Sequence, residues 1–427
     1  MPSIRNHFDT LEDPRRNHWN IDHKLGDVLF IALCAVLGGA EGWKDIETFG
    51  KAKKAWFDQK LSLTEGIPSD DTFRRVISRI DPKSFGACFR GWVRASVDTL
   101  SEEEHGEEEH GEEEHGEEKH GGEKHGEEEH GEEKHGEEKH GEELIAIDGK
   151  TLRGSYEDGD PKAAVHMVSA WASANEMVLA QRKTDDKSNE ITAIPELLAP
   201  ELLALLELNG CLVTIDAMGC QKEIARQIWE AEADYVLALK GNQGHLHREV
   251  REYFEEAKKR GFPKAGFPKA MPTSCCEESA VGHNRKEVRR CVVSTDVEWL
   301  GSYGEWAGLK SIALVEYCRD VYASDDPRAE TKQRFYISSM ACEAEELLEA
   351  TRRHWEIENK VHWVLDVSFA EDDSRIRRRD GAENFSRLRR MALNLLRSDD
   401  TANRKSIKGR RKQAGWDQQY LERLVNL

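Results

Sequence analysis

Two stretches, Leu144-Ile145-Ala146-Ile147-Asp148-Gly149-Lys150 and Cys211-Leu212-Val213-Thr214-Ile215-Asp216, decide how this chain folds. Each is a run of apolar residues too short for a helix and apolar on both faces, the pattern of a strand buried inside a sheet. Each ends in Asp. In an α/β sheet the carboxyl edge of the strands is where ligands bind. A single Asp there is ordinarily a turn or capping residue. Two on neighbouring strands put two carboxylates within reach of one cation, and a third would complete a two-metal site for phosphoryl transfer.

Working outward from these strands, His166 to Ala172 and Met177 to Gln181 flank Ser173-Ala174-Asn175-Glu176 and predict a hairpin. Ile191 to Leu208 predicts a leucine-rich helix closed by Gly210, Gln221 to Ala231 a second helix, and Tyr235 to Leu239 a strand before Lys240-Gly241-Asn242-Gln243. The order strand, strand, strand, helix, strand, helix, strand predicts an α/β layer with a mixed sheet. Residues from about 245 to 335 break the alternation and predict a mostly β insertion, with runs at Val288 to Ser294, Leu309 to Tyr317 and Arg334 to Ser339.

Glu343 to Asp366 then predicts one long helix. Leu348, Trp355, Glu358, His362 and Leu365 share a face of it that is otherwise apolar or aromatic. A carboxylate on such a face is costly unless it is paired or bound to metal, so Glu358 is the candidate third carboxylate. Glu356, two positions away, points elsewhere. A buried ion pair is the competing reading of Glu358.

The whole chain of 427 residues carries 62 basic and 82 acidic residues, a formal charge of −20, with 38% apolar and 34% charged residues. That balance alone would repel nucleic acid, but it is unevenly spread. Residues 101–143 hold 21 Glu and 4 Lys, whereas 374–412 hold 14 Lys or Arg against 4 Asp or Glu. The acidic stretch is a pentapeptide repeat of the EEEHG type with His at every fifth place from His105 to His140. A five-residue step gathers the histidines in neither a helix nor a strand. The repeat therefore reads as a charged, disordered linker, with metal binding the lesser alternative. The basic end reads as DNA-binding, or else as a charged surface helix.

Residues 1–100 read as helical. The apolar run Val28 to Ala40 is too short to span a bilayer and predicts a buried helix. Ser69 can cap a helix carrying Phe73, Val76, Ile77 and Ile80 on one face, which Pro82 would end. Arg74, Arg75 and Arg79 lie off that face and read either as DNA contacts or as a solvated basic surface. Nine Cys with no Cys-x-x-Cys pair suit a reducing cytoplasm, and the first ten residues lack a secretory leader's apolar core.

Taken together the motifs resemble a DDE transposase of the bacterial insertion-sequence type, in the H-repeat-associated group. The matching stretches are Ile147-Asp148-Gly149-Lys150-Thr151-Leu152-Arg153-Gly154-Ser155, Lys187-Ser188-Asn189-Glu190-Ile191, Thr214 to Gln221, Ala238 to Gln243, His354 to Val367, Phe369 to Asp372 and Arg375. The resemblance implies a ribonuclease H-like core (a mixed sheet flanked by helices) with a β-rich insertion at about 245–335. The domains would be a helical one at 1–100, the linker at 101–143, a catalytic domain at 144–395 and a basic helical tail at 396–427. It implies Asp148, Asp216 and Glu358 as catalytic residues and ligands of Mg²⁺, for which Mn²⁺ could substitute. Asp366, Glu371 and Asp372 rival Glu358 for the third place.

The Tyr, Arg, Glu, Lys signature of related transposases keeps only its Glu. Its other places hold Thr351, His354 and Leu365. The candidate DNA contacts are Lys150, Arg153, Lys240, Asn242, His354, Asn359, Lys360, His362 and Arg375. The implied activity is metal-dependent cutting of double-stranded DNA at element ends and joining to target DNA, by a homodimer associated with the bacterial nucleoid. A DNA-binding relic that no longer cuts, and a nuclease without strand transfer, are the alternatives.

Overall fold

The computed structural model describes residues 3–15, 21–109, 143–156, 164–184, 190–198, 210–260, 273–282, 285–321, 330–399, 401 and 405–426. At its centre is a nine-stranded sheet formed by β1 (Leu144–Thr151), β2 (His166–Ala172), β3 (Met177–Lys183), β4 (Leu212–Ile215), β5 (Asp234–Leu239), β6 (Thr273–Gly282), β7 (Arg285–Ser294), β8 (Ser311–Val321) and β9 (Glu330–Ser338). Across the sheet they run β3-β2-β1-β4-β5-β9-β8-β7-β6. The two deciding stretches are β1 and β4, and both are buried through their apolar residues. β1, β4 and β5 are parallel and every other pair is antiparallel. Because Ile147 pairs with Ile215, Asp148 and Asp216 follow side by side, at the point where β4 ends and β1, expected to end there too, runs on to Thr151 beside β2.

Helices Glu190–Leu197 and Lys222–Glu230 make the expected crossovers. The remainder of the leucine-rich helix and most of the EEEHG-type repeat lie outside the described residues. The helix Pro82–Glu109 nonetheless runs past residue 101, where the linker was expected to start.

The insertion departs from expectation in two ways. It opens with a long helix, Gly244–Arg260, whose Leu246, Val250, Phe254 and Ala257 are buried at helical spacing. Its strands form no separate layer: β9 pairs with β5, so β8, β7 and β6 prolong the central sheet. β6 escaped the sequence pattern because its Cys275-Cys276-Glu277-Glu278 run has no alternation.

In the amino-terminal region the helix Leu25–Leu37 is buried at all 13 positions. At about 1.5–3 kcal/mol per fully buried large apolar side chain it anchors the region. Ser69 Oγ accepts from the Thr72 amide, capping the helix Asp70–Ile77. That helix ends at Ser78; Pro82 begins the next helix rather than ending this one, a place where its missing N–H costs nothing. Arg74 and Arg75 both pair with Asp71.

The basic end differs most from its sequence reading. Arg387, Arg389 and Arg390 lie within the buried helix Gly381–Arg397, and Arg410 and Arg411 are buried too. Arg390 Nη1 donates to Glu371 Oε1 at 3.1 Å, and Arg411 donates to the carbonyls of Val36, Ala40 and Ser368. These guanidiniums satisfy buried carboxylates and helix-end carbonyls, so they are spent inside the fold. Among the described residues no helix is long and apolar enough to cross a membrane.

Candidate active site

Asp148 and Asp216 open onto a cavity of about 560 Å³ whose lining includes Glu190, Lys240, Arg334, His354, Trp355 and Glu358. Burial raises the Asp148 carboxyl to about 6; the Glu190 and Asp216 charges add to the rise and His362 opposes it. Asp216 is raised by burial and then by Glu190. Its Oδ1 accepts from the Met218 amide at 2.9 Å and the Gly219 amide at 3.4 Å, capping the short turn Ala217–Gly219. Asn242 Nδ2 donates to the Ala217 carbonyl at 2.7 Å and Gln243 Nε2 to the Cys220 carbonyl at 2.9 Å. The Lys240-Gly241-Asn242-Gln243 motif therefore braces the Asp216 loop through the side chains of Asn242 and Gln243, while Lys240 is exposed at the cavity.

The third carboxylate comes from an interrupted helix. Ala344–His354 is α-helical, Ile357–His362 is a π-turn, and Trp363–Phe369 resumes the α-helix. The regular helix expected from 343 to 366 is thereby corrected: the wider turn sends Ile357 and Val361 to the core and leaves Trp355 and Glu358 outside it. Glu358 does not sit on a core-facing stripe. Its side chain, 55% exposed, stands in the open cavity, and a hydrogen bond with His362 holds its pKa below the usual glutamate value. His362 is the buried member, with Nδ1 at 3.4 Å from Asp148 Oδ2 and 3.5 Å from Glu358 Oε2.

The rival carboxylates are engaged elsewhere. Glu356 accepts from Ser173 Oγ at 2.7 Å and pairs with Lys360 at 3.1 Å. Asp366 and Asp372 hold the Lys150 ammonium at 2.7 and 3.0 Å, and Glu371 is buried against Arg390. Lys150, expected at the surface, is instead buried between these two carboxylates as an internal clamp. Lys360 pairs with Glu176 at 2.5 Å, and His354 bonds Thr214 Oγ1 at 3.0 Å and is held neutral by burial, with a pKa near 4. Neither presents a free cation. Arg153 is exposed, with Nε 3.3 Å from Asp372. Asn359 and Arg375 are exposed too; Asn359 donates to the Trp355 carbonyl, and Arg375 lies in a separate basic cleft with Arg74 and Arg378.

Glu190, which lines the cavity, and His166 behind it were not singled out from sequence. His166 Nε2 bonds Glu190 Oε1 at 2.7 Å, and its Nδ1 bonds Thr151 Oγ1 at 2.9 Å. Gly149 leaves room for this pair, since a Cβ there would overlap both Glu190 Oε1 and His166 Nε2. Glu190 stood in a quoted motif, but only its place at the end of the β1 edge shows what it faces.

Asp148, Glu358 and His362 each offer one ligand atom, all within 4.8 Å of one another. The donor set fits a divalent cation: the oxygens suit Mg²⁺ or Mn²⁺, and a neutral imidazole is an acceptable ligand for Mn²⁺. Asp148 has no Lys or Arg partner among the ion pairs of the described residues, so the fold leaves its charge for something else.

The comparisons with known proteins show the family. Residues 139–395 match the family described as the transposase DDE domain, and residues 5–93 match the DDE_Tnp_1-associated family. The chain is 36% identical over 99% of its length to the "H repeat-associated putative transposase YhhI" of Escherichia coli K12, covering 97% of that protein. It is 40% identical over its full length to the "Putative transposase YncI" of Escherichia coli O157:H7, covering 95% of it. A cryo-EM structure of a piggyBac transposase synaptic complex with hairpin DNA aligns with a TM-score of 0.40 at 10% identity, over 99% of this chain and 79% of that one. The chain belongs to the DDE transposases. Within them it falls in the H-repeat-associated group, a family of insertion-sequence transposases that implies use of a divalent metal.

Proposed function

We propose that this transposase cuts double-stranded DNA at the ends of its insertion-sequence element and joins the freed ends to target DNA. The observation that carries the reading is the meeting of Asp148, Asp216 and Glu358 at one cavity, with His362 between two of them. These three carboxylates would hold Mg²⁺. When bound, such ions lower the pKa of a water and stabilise the leaving 3′ oxygen.

The carboxylates supply negative charge at fixed positions. His362 orients Asp148 and Glu358, and the brace from Asn242 and Gln243 holds the Asp216 loop. In cleavage, water adds to phosphorus and the strand leaves as a 3′-OH, its oxygen taking a proton. In joining, that 3′-OH attacks a target phosphodiester and expels a second 3′-OH, so one bond forms for each that breaks. Lys240 and Arg334, which line the cavity, and the exposed Arg153 are the cations we assign to DNA phosphates. Two element ends call for a homodimer on DNA, and we place the protein with the nucleoid. The core is ribonuclease H-like, with the insertion built onto its sheet.

The test supplies a pre-cut donor end carrying a free 3′-OH with a target plasmid and Mg²⁺. Joined product is expected. Cleavage of intact ends without any joining would make the protein a nuclease, and binding without either reaction would make it a relic.

A further inference from the structure

We propose that Glu190, clamped by His166, is a fourth carboxylate of the cation site, acting with Asp148 and Asp216 beside the Asp148–Glu358–His362 group. The proposal rests on the reading of this cavity as metal-dependent. Glu190 lines the same cavity as Asp148, Asp216 and Glu358, and its side chain is only 11% exposed.

A buried carboxylate beside two others is unfavourable unless something offsets the repulsion. Glu190 lines the cavity together with both aspartates, and its charge adds to the upward shift of each of their carboxyls. Its position opening the helix Glu190–Leu197 suits an acidic residue. Helix capping alone does not account for a side chain turned back over the β1 edge, or for a Gly at 149 that makes room for it.

The clamp is built from the sheet. Thr151 and His166 are register partners on β1 and β2, and the imidazole bridges Thr151 Oγ1 to Glu190 Oε1. A ring fixed at both nitrogens holds one carboxylate oxygen still, the arrangement by which outer partners orient metal-binding carboxylates. The second cluster supplies oxygen donors only, the preference of Mg²⁺, whereas the Glu358 side includes an imidazole. The two donor sets sharing Asp148 would thus be chemically distinct.

The experiment measures Mn²⁺ uptake by the full chain from the electron paramagnetic resonance signal of the free ion, for the parent protein, Glu190→Gln and Glu358→Gln. Gln at 190 keeps an oxygen for His166 and removes only the charge. Weakening of Mn²⁺ binding by about tenfold or more in Glu190→Gln is expected. Its metal-free melting temperature should equal or exceed the parent's, because a like charge has gone. His166→Phe, which frees the carboxylate, should weaken binding less than Glu190→Gln.

An unchanged isotherm for Glu190→Gln alongside a weakened one for Glu358→Gln overturns this proposal alone. A lowered melting temperature with unchanged Mn²⁺ binding makes Glu190 a structural partner of His166, and also overturns it. A parent protein that takes up no Mn²⁺ overturns the metal reading of the cavity, and this proposal with it.

Discussion

His362 Nδ1 stands 3.4 Å from Asp148 Oδ2 and 3.5 Å from Glu358 Oε2, so one buried imidazole ties the middle of β1 to the π-turn Ile357–His362. Replacing it with Phe keeps the volume and removes the donor between two carboxylates. His362→Phe should raise the Mg²⁺ concentration for half-maximal cleavage by about 10–100-fold, the usual effect of losing a group that orients or binds at a metal site. A metal titration of cleavage measures it. An unaltered metal requirement would make His362 a space-filling residue.

Lys150 is an internal clamp for Asp366 and Asp372. Lys150→Met leaves two carboxylates without their cation and should cost about 3 kcal/mol in urea unfolding, at the lower end for breaking a buried pair because both partners are partly solvated. The salt dependence of DNA binding by the folded variant should match the parent's. A slope shallower by about one would instead mark Lys150 as a phosphate contact.

The buried arginines of the basic end make the same point more widely. Arg411 donates to three carbonyls from two parts of the chain. Arg411→Met should destabilise the protein by about 2–4 kcal/mol, since it leaves helix-end carbonyls unpaired. Urea denaturation and DNA binding at several salt concentrations separate this from loss of a DNA contact, which would weaken binding without lowering stability.

His354 gives a pH signature. Its pKa is about 4 in the fold, against an ordinary 6.5. Above pH 6.5 both folded and unfolded chains leave it neutral. Between pH 6.5 and 4 only the unfolded chain takes the proton, so stability falls as pH falls across that window. The loss from pH 6.5 to 5 should be about 1.6 kcal/mol for this residue. His354→Gln should show a smaller drop in urea midpoint between pH 7 and pH 5. Equal drops in both proteins would contradict it.

Much of the core was legible because its signals are local. Short apolar runs leading to Asp148 and Asp216 predicted both strands, although β1 runs three residues past Asp148, and Ser69 announced its helix as a cap. What the sequence hid depends on partners far along the chain. Lys150 looks like a surface cation until Asp366 and Asp372 arrive beside it. The arginines from Arg387 to Arg411 look solvated because charge composition does not reveal Glu371 or the carbonyls they meet. Glu358 was selected by a helical period that the π-turn breaks, and the residue reaches the cavity by a different face. Glu190 depends on a contact across Gly149 that no periodicity encodes.

The central claim, that Asp148, Asp216 and Glu358 form a metal-dependent DNA-cutting site, is met most directly by cleavage of a duplex bearing the element's end. Parent protein and Glu358→Ala are compared in Mg²⁺ and in EDTA, with DNA binding measured alongside. The account predicts nicking at the end in Mg²⁺ alone, its loss in Glu358→Ala, and DNA binding largely kept. Nicking that persists in Glu358→Ala, or tight binding with no nicking under any divalent metal, would contradict it.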